Sequence, residues 1–580
     1  MISNSMDYKA ITQHLVSQGY QAEFEEADNI RSLTVTIDVN GEGIELVHFA
    51  CKEFSALPSF CLKNCTEYGI LAHVLEITQT GYGAVCVGDR DSISVNYEQP
   101  HLAVEESLRR HIDLIRKLIE EPDWNQQELV REFSSNWNAI IKSSDPSLIL
   151  AAKEQHLERI QVFAPEKGKK YGYGSYHLGI TEHANSLSEL SDITPTNTTN
   201  RNLAGEGYVI PVGNLPPPPT SREDVGKWYL QAILSLPSDK LNKLEKLISQ
   251  RRSQNFWVVF NGETISGTAW FGIKFRLKAK GKKTLPIKNE ALTNWSVTPI
   301  QLTVFNKERV LPRGGASTLL SEKSVLLVGC GSVGGEVAYK LASSGIGNLF
   351  LVDPDIYSLD NLYRHVLNDW LIGARKAFGL SFTIQSKYPW TKCTFDTSRL
   401  LQLRDKSFLE SFDLMLIAIG SPTQERLFHD FLIGNKVSVP VINTWVEGYG
   451  IGGHATLDIL RSKGCLRCAY VDQSDLSRGL ASNLNFLEAN QDVTINHAGC
   501  GDLFMPYGVV NAAQTSIIAS ELAIKLLSGS IVESCKVSWK GDDYDAKTAG
   551  LRTTHRYRAF KKSLERLPLY DEHCDICNED

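Results

Sequence analysis

The sequence feature that most constrains the fold is a glycine-rich turn between an apolar strand and a helix. From residue 324 the chain reads SVLLVGCGSVGGEVAYKLASSGIGNLFLVDPD. Gly329, Gly331 and Gly334 follow the predicted strand and open the predicted helix, and Asp353 ends the next strand. Glycines permit a tight turn, and a helix N-terminus offers N–H donors to a phosphate. The segment therefore predicts one βαβ unit of a doubly wound, Rossmann-like fold.

The residues after this unit bear on which nucleotide the fold binds. Asp355, Asn361, Arg364 and Lys376 follow within a short stretch. A nicotinamide oxidoreductase has no need of this run, whereas a triphosphate under attack by a carboxylate does, because charge develops on the leaving pyrophosphate. Each cation alone also fits a solvated helix face. The whole run favours ATP over a dinucleotide, and the oxidoreductase remains an alternative.

The order G-x-G-x-x-G, D-x-D, N-L-x-R and G-x-x-K resembles the ThiF/MoeB superfamily, which has the fold of the ubiquitin-activating enzymes. The resemblance implies that Asp353 holds the ribose and that Asn361, Arg364 and Lys376 contact the ATP phosphates. It also implies a homodimer in which Arg313, in the LPRGG stretch, enters the partner's site.

One position departs from the family pattern. Aligned on the following arginine, the stretch IGSPTQER has Ser421 where the family has an aspartate that helps to hold magnesium. The resemblance implies ATP and Mg²⁺ as cofactors, with the magnesium held differently here. A scaffold without enzymatic activity is the alternative that Ser421 leaves open.

Two C-x-x-C pairs give four thiolates at the spacing of a tetrahedral zinc site. They are Cys465 with Cys468, and Cys574 with Cys577. One such pair alone is also typical of a redox motif or of chance, but two in one domain favour zinc and resemble the zinc site of the same superfamily. Four cysteine ligands leave no open position, so we expect this zinc to be structural.

Cys500 lies between two glycines in NHAGCGDLFMPYG. Flanking glycines let a substrate approach a sulfur closely. In ubiquitin-activating enzymes and their bacterial relatives a cysteine in this region takes the activated C-terminus from AMP as a thioester, so the resemblance implies that Cys500 is a nucleophile. The alternative is a small buried thiol.

The N-terminal region predicts strands followed by two long helices, with His73 upstream of Cys86. This resembles the ubiquitin-conjugating fold and the prokaryotic conjugating enzymes fused to ThiF-type domains. The resemblance implies that Cys86 receives the thioester from Cys500 and passes it to an amine, and that His73 is a catalytic residue. The alternative for His73 is a structural histidine. The eukaryotic His-Pro-Asn is reduced to His-Val-Leu, which removes the asparagine that donates to the oxyanion. Three other thiols, Cys51, Cys61 and Cys65, are interpreted as core or incidental.

Composition shifts divide the α/β chain into three predicted domains. These are a ubiquitin-conjugating-like domain (1–160), an α+β linker domain (161–305) and an adenylating domain with a four-cysteine zinc site (306–580). This order resembles the CD-NTase-associated protein 2 family of CBASS antiphage systems. The resemblance implies that the flexible C-terminal tail of a cyclic-oligonucleotide synthase, a CD-NTase, is activated and joined to a target protein's amine, which primes antiphage signalling.

Composition and net charge limit the kinds of partner that this protein can bind. Hydrophobic residues make up 42% and charged residues 22% of the 580, which is typical of a globular chain with several domains. The net charge of -7 argues against direct binding of nucleic acid. No apolar run approaches the roughly 18 residues of a membrane helix, and the polar N-terminal residues lack the pattern of a signal peptide, so we expect a cytoplasmic protein. A sulfur-carrier-type adenylyltransferase with a non-catalytic N-terminal binding domain remains an alternative.

Overall fold

The structure is a computed structural model that describes residues 6–577 with short gaps. The gaps are residues 28–29, 78–79, 89–92, 152–155, 169, 171–174, 182–200, 214, 220, 266, 279–282, 461, 473, 478 and 497–502. The chain divides into two compact units, of which the first ends at Phe305 and the second begins at Asn306. Among the described helices, none combines the length and apolar character needed to cross a membrane.

The N-terminal part of the first unit is an antiparallel sheet with helices on one face. Its strands are β1 (Gln21–Ala27), β2 (Ile30–Val39), β3 (Glu42–Phe49), β4 (Cys61–Lys63), β5 (Val74–Glu76) and β6 (Tyr82–Val85). They follow the order β1-β2-β3-β4-β6-β5. Its helices are α1 (Tyr8–Ser17), α2 (Pro100–Glu120), α3 (Pro122–Arg131) and α4 (Phe133–Ala139). Alternate residues of β2, such as Leu33 and Val35, pack in one core with Ile11 of α1 and Leu108 of α2.

The rest of the first unit is a closed barrel. Its strands are β7 (Ser147–Ala151), β8 (Glu158–Phe163), β9 (His177–Thr181), β10 (Leu203–Val212), β11 (Asn255–Thr264), β12 (Gly267–Leu277) and β13 (Trp295–Val304). Around the barrel they follow the order β10-β11-β12-β13-β7-β9-β8. The accompanying helices are α5 (Val225–Leu234), α6 (Ser238–Ser249) and α7 (Asn289–Leu292).

Strand β11 is buried on both faces, because alternate side chains enter two separate cores. Trp257 and Val259 lie in the core with Leu148 of β7, whereas Phe256 and Phe260 lie in a core shared with the residues of α5. A strand that is buried on both faces loses the apolar–polar alternation by which a strand is identified in sequence.

The barrel begins before residue 160, where the sequence placed the end of the N-terminal domain. Phe133 of α4 packs against Phe271 of β12 with ring centroids 4.6 Å apart, and Trp137 packs against Trp228 at 5.3 Å. Strand β7 also pairs with the barrel strands β13 and β9. The physical reason is that the aromatic face of α4 covers the barrel.

The second unit is built on a mixed eight-stranded sheet. The strands of the unit are β14 (Ser324–Val328), β15 (Asn348–Val352), β16 (Lys392–Asp396), β17 (Leu414–Ile417), β18 (Val441–Val446), β19 (Gly452–Asp458), β20 (Ile495–Asn496), β21 (Leu503–Phe504), β22 (Cys535–Lys540) and β23 (Leu564–Pro568). Its helices are α8 (Lys307–Arg313), α9 (Ser332–Ser343), α10 (Lys376–Lys387), α11 (Lys406–Leu409), α12 (Pro422–Gly434), α13 (Val509–Leu527), α14 (Tyr544–Thr548) and α15 (His555–Ala559).

The order of the strands in this sheet indicates where a ligand can bind. The strands run β16-β15-β14-β17-β18-β19-β22-β23, and the first five are parallel. The chain first moves outward from β14 to β16 and then crosses back to β17 on the other side of β14. In a doubly wound sheet this reversal leaves a crevice beyond the carboxyl ends of the two central strands. The predicted βαβ unit of a Rossmann-like fold is confirmed.

Candidate active site

The glycine turn lies at that crevice, and two of its three glycines are packed too tightly for side chains. Gly329 has a φ of +95°, and a Cβ there would lie 2.6 Å from the carbonyl oxygen of Ala418 in the loop after β17. A Cβ at Gly334 would overlap the carbonyl oxygen of Gly329. Gly331 precedes α9 and has open space around its Cα, which leaves room for a ligand at the helix N-terminus.

Asp353 joins the turn to the next loop. One carboxylate oxygen accepts from the backbone N–H of Cys330 at 2.6 Å, and the other accepts from that of Asp355 at 2.8 Å. The residue is buried, and burial raises the pKa of its carboxyl group, although both hydrogen bonds oppose that shift. The acid therefore fixes the geometry of the nucleotide loop and retains lone pairs for a further donor.

The two predicted phosphate-binding cations are held in different ways. Lys376 lies 3.0 Å from the carboxylate of Asp355. The guanidinium of Arg364 instead lies over the ring of Tyr507, 5.4 Å from its centroid. The side chain of Asn361 accepts from the backbone N–H of Ser358 at 3.4 Å and thereby closes the turn that precedes Arg364.

A cavity of about 570 Å³ opens at the crevice. Its lining includes Gly331 and Ser332 at the start of α9, the loop of Gly420 after β17, Thr444 of β18, and Tyr507 before α13. Its outer wall is the segment from Leu480 to Val493, of which several residues line the space. The cavity is large enough for a nucleotide and extends beyond the glycine turn, so it also has room for a second reactant.

Ser421 lies at the N-terminus of α12, between Gly420 and Pro422, which line the cavity. Glu425, which also lines the cavity, was missed by the sequence analysis. Glu425 is 3% exposed and accepts from the Ser421 backbone N–H at 3.1 Å and from the Asn443 amide at 3.1 Å. Burial raises the pKa of the Glu425 carboxyl group to about 7. The signal was present in sequence, because a glutamate in the first turn of a helix that begins with proline can bond back to the turn.

His365 is a second residue that sequence reasoning missed. Its Nε2 donates to the carbonyl of Cys330 at 2.7 Å, since its Nδ1 accepts from the backbone N–H of Leu367 at 3.2 Å. Burial lowers the pKa of the His365 imidazole to about 4, which keeps the ring neutral. The ring ties the segment that carries Arg364 to the glycine turn.

Arg313 is exposed at the end of α8, and Gly314 caps that helix. The side chain is accessible to a second molecule, as the resemblance requires. Its predicted entry into a partner's site stays a prediction.

The four predicted metal ligands converge in the second unit. Cys465 and Cys574 have sulfurs 3.8 Å apart, those of Cys468 and Cys577 are 3.5 Å apart, and all four lie within 4.8 Å of one another. Tetrahedral zinc with Zn–S bonds of about 2.3 Å requires sulfurs about 3.8 Å apart, so the set fits that ion. Arg467, between the first pair, bonds Asp575, between the second, at 2.8 Å.

In the first unit Cys86 is exposed immediately after β6. Its backbone N–H donates to the carbonyl of His73 at 2.8 Å, so the two predicted residues are neighbours across the β5–β6 hairpin. The ring of His73 is held 3.2 Å from Glu128 of α3, and the backbone of His73 has a φ of +60°.

A third missed residue, Asn125 of α3, holds the entry to this hairpin. Its side chain accepts from the backbone N–H of Ala72 at 2.8 Å and donates to the carbonyl of Ile70 at 2.7 Å. Of the competing thiols, Cys61 and Cys65 are buried as predicted, whereas Cys51 is exposed. Cys500, with His497 and Asp502, lies outside the described residues.

With the geometry established, comparison with known proteins identifies the second unit. Residues 309–575 match the ThiF family. This segment is a ThiF-family domain. The predicted resemblance to ThiF and MoeB is thereby confirmed for the second unit.

Other relatives match shorter or longer parts of the chain. The ATP-dependent ubiquitin transferase-like protein Cap2 of Escherichia coli (strain TW11681) is 22% identical over 472 residues, which cover 76% of this chain and 77% of Cap2. Adenylyltransferase and sulfurtransferase MOCS3 of Danio rerio is 28% identical over 203 residues, which cover 33% of this chain and 43% of MOCS3. The chain thus spans less than half the length of MOCS3.

The chain was also compared with the solved structure of E. coli MccB with ATP. The two sequences are 15% identical, the match covers 45% of this chain and 68% of MccB, and the TM-score is 0.31. A score that low supports no inference about this chain.

Proposed function

We propose that the second unit uses ATP to adenylate the C-terminal carboxylate of another protein. The observation that carries this proposal is the cavity at the sheet reversal, which reaches from the N-terminus of α9 to space beyond the nucleotide loop. A carboxylate oxygen attacks the α-phosphorus, an acyl adenylate forms, and pyrophosphate leaves. Arg364 and Lys376 stabilise the charge that develops on pyrophosphate, and Asp353 holds the ribose.

Magnesium would neutralise the phosphates during this step. Ser421 offers a hydroxyl in place of the family aspartate, and the Glu425 carboxylate behind it is already bonded to Ser421 and Asn443. The Ser421 hydroxyl would therefore be the residue of this chain that helps to hold the magnesium, and the ion would supply positive charge to the phosphates. Zinc at the four cysteines would hold the C-terminal segment that carries Cys574 and Cys577 against the rest of the second unit.

The activated carboxylate is next relayed between thiols. The Cys500 thiolate attacks the adenylate carbonyl and AMP leaves; the Cys86 thiolate then attacks the thioester and Cys500 leaves as a thiolate. An amine of the target finally attacks at Cys86 and forms an amide as that thiol leaves. Support comes from Cap2, because the 472 matched residues exceed the second unit and extend into the first.

The partner follows from the same resemblance. Cap2 bears the name of an ATP-dependent ubiquitin transferase-like protein. We propose that the substrate is the flexible tail of a CD-NTase, joined to a target amine in the cytoplasm as part of antiphage signalling. The enzyme acts as a homodimer in which Arg313 enters the partner's nucleotide site.

The experiment is to incubate the full chain with ATP, Mg²⁺ and a CD-NTase carrying its native tail, and to resolve the products without reducing agent. Cys86→Ala should accumulate a thiol-sensitive adduct at Cys500. Cys500→Ala should still exchange pyrophosphate into ATP but form no adduct. A wild-type protein that exchanges pyrophosphate yet never forms a thiol-sensitive adduct would refute the relay and retain only the adenylation.

A second candidate is sulfur-carrier activation, which the similarity to MOCS3 favours. The adenylate would then be passed to sulfide, and the first unit would only bind the substrate. Activity that is unaffected by Cys86→Ala, with a thiocarboxylate product detected by mass spectrometry, would establish this function instead.

A further inference from the structure

We infer that Tyr507 is a positioning residue that holds Arg364 and Ser332 ready for the phosphates of ATP. This inference rests on the proposed use of ATP. Tyr507 lies far from both residues in sequence, but its hydroxyl is 2.8 Å from Ser332 Oγ and its ring lies beneath the Arg364 guanidinium at 5.4 Å. It also lines the cavity.

The first contact places Tyr507 at the phosphate-binding end of α9. Ser332 is the first residue of that helix, follows Gly331 and is 8% exposed. The hydroxyl contact fixes the rotamer of this buried serine. The N–H groups and the Ser332 hydroxyl at the N-terminus of α9 are therefore presented to an anion in a fixed arrangement.

The second contact explains how Arg364 stays available. Among the described residues, no carboxylate lies within ion-pair distance of Arg364. A carboxylate would occupy the N–H donors of the guanidinium and neutralise its charge. An aromatic ring instead contacts the flat face, so the donors around the edge remain free for phosphate oxygens. Lys376 differs, because it must first release Asp355.

The backbone on both sides of Tyr507 is held by hydrogen bonds. On its N-terminal side the carbonyl of Pro506 accepts from the backbone N–H of Tyr449 at 2.5 Å. On its C-terminal side the backbone N–H of Gly508 donates to the Asn511 side chain at 2.9 Å, in the first turn of α13. A tyrosine with its flanking backbone held in this way and its hydroxyl bonded to Ser332 can impose an orientation on a long arginine side chain and so reduce the entropy lost when ATP binds.

The test is the equilibrium Kd of the full chain for ATP and for adenosine, with Tyr507→Phe and Tyr507→Leu. Tyr507→Leu removes both contacts and should raise the Kd for ATP about tenfold, whereas Tyr507→Phe keeps the ring and should raise it only about twofold. The Kd for adenosine should not change in either variant, since the contacts act on phosphate-binding groups. Damage to the fold would instead raise the Kd for both ATP and adenosine.

A series of fluorinated phenylalanines at position 507 separates the ring's charge from its shape. Fluorine withdraws electrons from the face while nearly preserving volume, so the Kd for ATP should rise stepwise from mono- to trifluorophenylalanine. Phe431→Leu is the matched control, because it removes the ring beneath Arg404 (5.8 Å) outside the cavity lining, and it should leave both Kd values unchanged.

An unchanged Kd for ATP in Tyr507→Leu, beside a wild type that binds ATP, would overturn this inference alone. A Kd for ATP that stays the same across the fluorinated phenylalanines would show that the charge on the ring face does not hold Arg364. If the wild type binds no ATP, this inference and the proposed function fail together.

Discussion

The ammonium group of Lys376 lies 3.0 Å from a carboxylate oxygen of Asp355, and the backbone N–H of Lys376 donates to the Asp355 carbonyl at 2.9 Å. The Asp355 side chain is 64% exposed, whereas that of Lys376 is 12% exposed. An ion pair with so exposed a partner contributes at most about 1 kcal/mol. Lys376 can therefore exchange this acid for a phosphate at little cost.

This asymmetry predicts unequal effects of two alanine substitutions on pyrophosphate exchange. Lys376→Ala should lower kcat/KM for ATP by roughly 100-fold, because it removes a cation from the developing charge. Asp355→Ala should change it by less than about fivefold, since the lost ion pair is worth so little. Equal losses would show that Asp355 contacts the nucleotide directly.

The glycine turn predicts a difference in stability between Gly334→Ala and Gly331→Ala. The new methyl group at position 334 would overlap the Gly329 carbonyl, while nothing lies within 4 Å of a Cβ at position 331. Gly334→Ala should lower the free energy of unfolding by about 1–3 kcal/mol. Gly331→Ala should leave it unchanged. Urea denaturation of both variants measures the difference, and equal stability would contradict the packing of the turn.

The four-cysteine cluster predicts bound zinc in the purified protein. Elemental analysis should find about one zinc per chain, and Cys574→Ser should remove it and lower the melting temperature of the second unit. Cys51→Ser, which changes an exposed cysteine of the first unit, is the control and should retain the zinc. If the metal-free wild type has the same melting temperature as the zinc-loaded protein, the ion is not structural.

Glu425 predicts how stability depends on pH. Burial raises the pKa of its carboxyl group from 4.5 to about 7 in the folded protein, so the folded state holds this proton more tightly than the unfolded state. The resulting stabilisation is complete below pH 4.5 and is lost as pH rises through 7. The loss is on the order of 3 kcal/mol.

Comparing wild type with Glu425→Gln isolates this residue, because every other titrating group is shared. As pH rises from about 5 to about 8, the free energy of unfolding of the wild type should fall relative to that of Glu425→Gln. A difference that is constant over this range would place the pKa of Glu425 near its ordinary value.

Parts of the second unit could be predicted because their determinants are local. A strand, a glycine turn and a helix follow one another in residues 324–353, and their spacing alone defines the βαβ unit. The two C-x-x-C pairs are each local as well, and the chemistry of four thiolates made their convergence a reasonable expectation.

Contacts between distant segments could not be predicted from one sequence. Nothing near Tyr507 indicates that its hydroxyl reaches Ser332, and nothing near Asn125 indicates that it holds Ala72. The barrel was missed for a related reason. Its strands pair across long stretches of chain, and β11 is apolar on both faces, so its sequence lacks the alternation that would mark a sheet surface.

The position of β7 in the barrel has a consequence for synthesis of the chain. Ser147–Ala151 lies between β13 and β9 and is parallel to both. On the ribosome β7 emerges long before β13, so the barrel cannot close until residue 304 has left the exit tunnel. Until then Leu148 and Leu150 belong to an open, apolar strand edge that is prone to pair with other nascent chains. We expect this interval to make the first unit dependent on chaperones during translation.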